Sequence, residues 1–201
     1  MTVSAWQQEQ ALRVGILGGT FNPVHLGHLL LAETAREALS LDRVLFIPTR
    51  QPPHKPSKDL WPAPVRLTLI ELAIRDHPAF VVSDIELQRE GPSYSIETVR
   101  ALRRQLPQAK LFLLIGEDML KVKWLAWDEL KQLCTIVAVP RPGGKGAPAR
   151  KERGVRWLPM PQLEIASSDI RVRLKQGRSI RYLVPMAVER YLRQHPQGGK
   201  G

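Results

Sequence analysis

Short uninterrupted apolar runs alternate along this chain with stretches whose apolar residues recur every three or four positions. The first run, residues 14–17, reads as a buried parallel strand. Gly18-Gly19-Thr20-Phe21-Asn22-Pro23 then turns, and the spacing becomes helical through Leu26, Leu29 and Leu30, with Ala32 and Ala35 between them, to about Leu39. Residues 43–48 form a second strand, which completes a right-handed βαβ unit. A helix follows over 64–76 with Val65, Leu69, Leu72 and Ala73 on its inner face, then a third strand over 80–83 that continues extended through 84–87. Ser93 to Thr98 start a helix that runs to about Leu106, with the Ser95 and Thr98 hydroxyls placed to cap backbone donors. The strongly apolar run 110–115 predicts a central fourth strand and 135–139 a fifth, with Cys134 in the same apolar run. A short strand over 155–158 returns to the sheet edge, and helices open at Ser167 and Pro185, the last packing Val188, Tyr191 and Leu192. The pattern is that of an α/β domain over 12–195, its C-terminal helical part beginning near 167, between a flexible leader at 1–11 and a disordered tail at 196–201.

The chemistry gathers where strands end. Strand, glycine turn and helix start together place backbone N–H groups and a helix dipole against a phosphate. His25 and His28 lie three apart with Gly27 between them, so both imidazoles face one side of the first helical turn. Two imidazoles beside backbone donors suit a polyphosphate and the charge that builds on a transferring phosphoryl group. For an isolated H-x-x-H, two exposed histidines at a helix start are the commoner outcome, and as a metal pair these two supply only two ligands. The strand and the Gly-Gly turn in front of them favour the phosphate reading, with Gly27 leaving room for a ligand backbone.

Four further segments carry candidate residues. His54 and Lys55 sit in Pro52-Pro53-His54-Lys55-Pro56, a proline-stiffened loop at the carboxyl end of the second strand, where open α/β sheets bind ligands. Gly116-Glu117-Asp118 follows the central strand, so Gly116 permits close approach and Asp118 can bond a ribose hydroxyl or an amide. Trp124 and Trp127 are spaced as on a helix, where such pairs are more often core than ligand platforms. In Ser167-Ser168-Asp169-Ile170-Arg171, Ser167 reads as an N-cap and Arg171 projects from the first turn, able to neutralise a phosphate.

Composition narrows the class. The 201 residues suffice for one core without disulfides, and a single cysteine, Cys134, excludes a disulfide framework and fits a reducing cytoplasm. No apolar run approaches the roughly 18 residues of a membrane span, and residues 1–10 lack the apolar segment of a signal peptide, so a cytoplasmic protein is expected. The formal charge of +11 raises nucleic-acid binding, yet the basic residues are dispersed and no zinc-finger, helix-turn-helix or RNA-binding aromatic pattern accompanies them. A positive field also suits an enzyme with two phosphate-bearing substrates.

His25-Leu26-Gly27-His28 resembles the H-x-G-H signature of the nucleotidylyltransferase superfamily. Pro52-Pro53-His54-Lys55, the run from Glu86 to Thr98, Gly116-Glu117-Asp118 with Lys123-Trp124, Arg141-Pro142-Gly143, Ser167-Ser168-Asp169-Ile170-Arg171 and the run 177–185 resemble blocks of the bacterial nicotinate-mononucleotide adenylyltransferases, in order, over about 13–193. The resemblance implies a Rossmann-like open, mainly parallel sheet with helices on both faces. It implies transfer of AMP from ATP to nicotinate mononucleotide, giving deamido-NAD and pyrophosphate, with Mg²⁺ held mainly by substrate phosphates and no protein metal site.

By the same resemblance His25, His28 and Arg171 are catalytic. Gly18, Gly19, Thr20, Phe21, Gly27, Gly116, Asp118, Ser167, Ser168 and Ile170 bind ATP, and Asn22, His54, Lys55, Ser95, Trp124 and Arg141 bind the acceptor. The sequence departs from the family pattern in having Asn22 for the usual Asp, a shorter stretch between Asp118 and Trp124, Leu125 for Tyr, and a shorter serine-to-arginine segment. Nicotinamide mononucleotide or phosphopantetheine as acceptor, and a non-catalytic basic nucleotide- or RNA-binding module, are the alternatives. No nucleic-acid or membrane partner is expected, and homo-oligomerisation stays open.

Overall fold

The computed structural model describes residues 12–53, 59–140, 152–161 and 163–196. Within them, β1 (Arg13–Gly19), β2 (Arg43–Pro48), β3 (Phe80–Val82), β4 (Lys110–Gly116), β5 (Thr135–Val139) and β6 (Val155–Trp157) form one sheet in the order β3-β2-β1-β4-β5-β6. Every pairing is parallel. The helices are α1 (Leu26–Ala38), α2 (Ala63–Ile74), α3 (Ser95–Gln105), α4 (Trp127–Leu133), α5 (Ser167–Lys175) and α6 (Met186–Gln194). The expected doubly covered, Rossmann-like α/β architecture is therefore present.

The period of two along each strand sorts side chains between the two faces. Leu17, Val44, Phe46, Phe112, Leu114, Val137 and Val139 face one way, into a layer with Ala32 and Ala35 of α1, Leu69 and Ile70 of α2, Ile170 of α5, and Val188 and Leu192 of α6. Val14, Ile16, Leu45, Ile47, Leu113, Ile115 and Ile136 face the other, against Ile96, Val99 and Leu102 of α3 and Leu130 of α4. With both faces covered, the inner strands are continuous apolar runs, and that is why they are legible as strands.

The chain leaves β1 toward β2 on one side and returns to β4 on the other, so the strand order reverses between β1 and β4. Crossover loops diverge there and open a crevice at the carboxyl ends of the strands.

Several local expectations are corrected. The inner face of α2 is Arg66, Leu69, Ile70 and Ile74, with Val65, Leu72 and Ala73 only partly buried; the helix is rotated because the Arg66 guanidinium has carbonyl partners inside. Residues 84–87 turn instead of continuing extended, as the Leu87 and Gln88 N–H groups donate to the Asp84 carbonyl at 2.7 and 3.1 Å. That turn buries Glu86, whose Oε1 accepts the Thr98 hydroxyl at 2.7 Å, so Thr98 does not cap α3. Ser95 does not cap it either: Tyr94 holds the N-cap position, without a side-chain bond. Ser167 is the first residue of α5 and Ala166 its N-cap, because the Ser167 hydroxyl is engaged elsewhere. Trp124 precedes α4, held by its indole N–H on the Met119 carbonyl at 2.7 Å, while Trp127 opens that helix. Cys134 closes α4 ahead of β5, and its thiol donates to the Leu130 carbonyl.

The leader at 1–11, His54 and Lys55, Arg141 with most of the basic stretch after it, and residues 197–201 lie outside the described residues.

Candidate active site at the carboxyl end of the sheet

The turn after β1 occupies the crevice at the sheet's point of reversal. Gly18 is exposed, and a Cβ there would meet nothing within 4 Å, so the strand end is open to a ligand. Phe21 takes a left-handed backbone conformation, φ 45°, and its ring is buried edge-on to His28, with centroids 4.9 Å apart, and against Phe46. Its side chain is thus part of the core. The Asn22-Pro23 peptide bond is cis.

Three carbonyls of this turn are taken up by other parts of the chain. Arg66 Nη1 donates to the Thr20 carbonyl, Arg171 Nη1 to the Asn22 carbonyl and the Ser167 hydroxyl to the Pro23 carbonyl, each at 2.8 Å. The Leu26 N–H donates to the Leu183 carbonyl at 3.0 Å, which ties the start of α1 to the segment before α6. The Asn22 side chain, 3% exposed, donates from Nδ2 to the Asp59 carbonyl at 2.8 Å and accepts the Trp61 N–H on Oδ1 at 3.1 Å. A turn so held presents one backbone conformation to its ligand, which is the requirement for electrostatic preorganisation.

His25 is the extended N-cap of α1 and is nearly buried. His28, three residues on, has its ring 3.7 Å from that of His25, centroid to centroid and tilted by 30°. The His25 backbone N–H donates to His28 Nδ1 at 3.2 Å, a reciprocal capping arrangement. An Nδ1 that accepts a hydrogen bond leaves the neutral ring's proton on Nε2, so His28 is set as a donor at its outer nitrogen. Gly27 makes room for a neighbouring side chain. A Cβ there would stand 3.1 Å from His25 Cε1 and Nδ1, so the absent side chain makes room for the imidazole.

Arg171 lies on α5, anchored by Ile170, whose side chain is fully buried in the core. Ser168 is exposed, with its hydroxyl on Asp169 at 3.3 Å. Across the crevice β4 ends at Gly116, and a short 3-10 turn (Glu117–Lys121) carries Asp118, exposed, at its start. Trp124 packs beyond it, its ring 5.2 Å from Trp127. Ser95 opens α3, and Ser93 just before it accepts the Arg50 and Gln51 N–H groups at 3.0 and 3.4 Å, joining the end of β2 to α3. Gly18 to Asn22, His25, His28, Ser167 and Arg171 therefore form one bonded group, while Gly116, Asp118, Trp124 and Ser95 stand on neighbouring strand ends.

Two buried ionisable residues went unread in the sequence. Burial holds the Arg66 guanidinium below its ordinary range and pushes the Glu86 carboxyl up. The signal for Arg66 was its place at helical spacing with Leu69, Ile70 and Ile74, where a charge on the buried stripe needs a reason. Among the described residues no three His, Cys, Asp or Glu side chains gather as a metal site, and no helix is long and apolar enough to cross a membrane.

This parallel α/β sheet carries a histidine-bearing glycine turn at its point of reversal, and the cytidylyltransferase-like family, a class of nucleotidyltransferases, matches residues 16–173. A relative from Thermus thermophilus described as "Probable nicotinate-nucleotide adenylyltransferase" is 44% identical over 188 residues, covering 92% of this chain and 98% of its own. One from Symbiobacterium thermophilum, with the same description, is 45% identical over 194 residues, 91% of this chain and 93% of its own. The solved structure of Plasmodium falciparum nicotinic acid mononucleotide adenylyltransferase complexed with NaAD superposes with a TM-score of 0.76 at 16% identity, covering 91% and 95% of the two chains. The chain belongs to the cytidylyltransferase-like family and, within it, to the nicotinate-nucleotide adenylyltransferases.

Proposed function

We propose that this chain transfers the adenylyl group of ATP to nicotinate mononucleotide, giving deamido-NAD and pyrophosphate, a step of NAD biosynthesis in the cytoplasm. The observation that carries the reading is the clamped turn from Gly18 to His28, with carbonyls engaged and His28 set as an Nε2 donor. The 44% identity to the Thermus thermophilus relative supports the acceptor.

A phosphate oxygen of the mononucleotide attacks the α-phosphorus of ATP in line. The new P–O bond forms as the bond to the β-phosphate oxygen breaks, and pyrophosphate leaves with the electron pair. Such a transfer needs positioning and charge stabilisation rather than a protein nucleophile. His28, with His25 stacked against it, donates to the phosphate on which charge develops. Arg171 and the start of α5 at Ser167 and Ser168 meet the β and γ phosphates, while the backbone of Gly18, Gly19, Thr20 and Phe21 lines the triphosphate. Gly116 and Asp118 meet the adenosine part. Ser95 and Trp124, with His54, Lys55 and Arg141 from segments outside the described residues, hold the mononucleotide.

Imidazoles, amides and a guanidinium are not a hard-oxygen donor set, so Mg²⁺ enters as part of the Mg–ATP substrate, on phosphate and water oxygens. The formal charge of +11 suits two anionic substrates and needs no nucleic-acid partner. Residues 12–195 work as one catalytic unit.

Pyrophosphate release with Mg–ATP is to be measured against nicotinate mononucleotide, nicotinamide mononucleotide and phosphopantetheine, in wild type and His28→Ala. The expected outcome is release with nicotinate mononucleotide, and a loss of about 10²–10³ in kcat in the variant, as for removal of one preorganised donor. Preference for another acceptor changes the substrate, and no release with any acceptor rejects the enzyme.

A further inference from the structure

Arg66 heads the fully buried side chains in size, at 1% exposure. Its Nε donates to the Trp61 carbonyl at 2.9 Å and its Nη1 to the Thr20 carbonyl at 2.8 Å. Burial disfavours its charge, the two carbonyls are its hydrogen-bond acceptors, and no salt bridge to a carboxylate is formed among the described residues. Burying a guanidinium costs several kcal/mol, and a well-packed apolar side chain in the same space would be the more stable choice. A residue kept at that cost, against neutral carbonyls alone, has work that a methionine could not do.

The two carbonyls identify the work. Thr20 belongs to the turn after β1, and Trp61 lies in the segment that joins β2 to α2. Asn22 spans the same gap through Asp59 and Trp61. A trans peptide is planar, so a Thr20 carbonyl drawn inward toward Arg66 points the Phe21 N–H the opposite way, outward. No backbone carbonyl among the described residues takes that N–H. A cation with only carbonyl dipoles around it also leaves net positive charge under the turn, in surroundings where charge is poorly screened.

We propose that Arg66 is a positioning residue for adenylyl transfer: it draws the Thr20 and Trp61 carbonyls into the interior, aims the Phe21 N–H outward at the phosphates, and sets a permanent positive charge beneath the turn. This rests on the adenylyltransferase reading for the identity of the phosphates. The ligand feature it recognises is the polyphosphate and not the base, so its removal separates the two.

The test uses the full chain with Arg66→Met and Arg66→Lys. Binding of tripolyphosphate and of adenosine is measured by calorimetry, beside kcat, KM for ATP and thermal melting. Arg66→Met is expected to bind tripolyphosphate about tenfold more weakly or worse, with adenosine binding unchanged, and to lose about 10²-fold in kcat. Arg66→Lys keeps the charge but lacks the planar fork that spans two carbonyls. It is expected to hold tripolyphosphate within about threefold of wild type while kcat falls at least about tenfold, and it decides the matter if the methionine variant does not fold. Unchanged tripolyphosphate binding and kcat in a folded variant would overturn the proposal, as would equal losses for tripolyphosphate and adenosine, the mark of a merely structural role. A wild type that binds tripolyphosphate through Arg66 yet releases no pyrophosphate with any acceptor would reject the enzyme reading and leave the clamp standing.

Discussion

Asn22 shows how one side chain can link segments distant in sequence. It is buried, donates to Asp59 and accepts from Trp61, while its own carbonyl is held by Arg171. An aspartate would still accept the Trp61 N–H but would set a charged oxygen 2.8 Å from the Asp59 carbonyl, so the amide suits this site as built. Asn22→Ala leaves the buried Trp61 N–H without its partner and should cost about 1–3 kcal/mol for that group, while water can reach the part-buried Asp59 carbonyl. Denaturant unfolding should show the midpoint falling with the slope unchanged, because the loss is local. A midpoint equal to wild type would mean that water replaces both bonds. The resemblance placed Asn22 against the acceptor; the structure gives its side chain these two protein partners.

Among the elements, α3 and the turn before it depend on a buried acid. Glu86 accepts the Thr98 hydroxyl, and desolvation is the leading influence on its carboxyl, raising it above the ordinary range. The sign follows from linkage. A carboxyl that resists ionisation in the folded state leaves folding most favourable below its unfolded value of 4.5, and stability declines as pH rises from there through the raised folded value. Glu86→Gln keeps an acceptor for Thr98 and removes the charge. Its melting temperature should exceed wild type at pH 8 and match it at pH 4; a variant that matches wild type at pH 4 but is less stable at pH 8 would show that the carboxylate itself is needed. The same elements explain why the caps were misread. Hydroxyls at 98 and 167 have plausible local partners, but Glu86 and the Pro23 carbonyl take them instead, and Tyr94 rather than Ser95 stands at the N-cap of α3.

For the molecule as a whole, two covered faces make the interior resistant to small reagents and to titration. Cys134, sealed between α4 and β5, has its thiol pushed up to about 12 by burial. In the native protein it should not react with a thiol reagent at pH 8, and should react fully once denatured; fast native labelling would contradict the packing. Because its unfolded value is 9.0, the thiol ionises first in the unfolded chain, and stability should decline between about pH 9 and pH 12. A Cys134→Ala variant should lack that part of the alkaline decline, compared by melting curves across the range.

What the sequence determined by itself was everything that local periodicity and motif can encode. Five of the six strands lie where the apolar runs stand, since strands buried on both faces must be apolar throughout; the edge strand β6, Val155–Trp157, is the exception, with Arg156 exposed. The turn after β1 and its histidines were legible because two glycines and Asn-Pro interrupt the apolar pattern between strand and helix. The H-x-G-H and adenylyltransferase blocks carried the family.

The tertiary structure alone decided what holds that turn. Arg66, Ser167 and Arg171 reach it from 46, 144 and 149 residues away, and no local pattern reports such pairings. It also decided that Arg66 lies inside, that Gly27 makes room for His25, and that His28 carries its neutral-form proton on Nε2. Periodicity records which side of an element is buried, but the partner of a buried polar group is set by whatever the rest of the fold brings beside it.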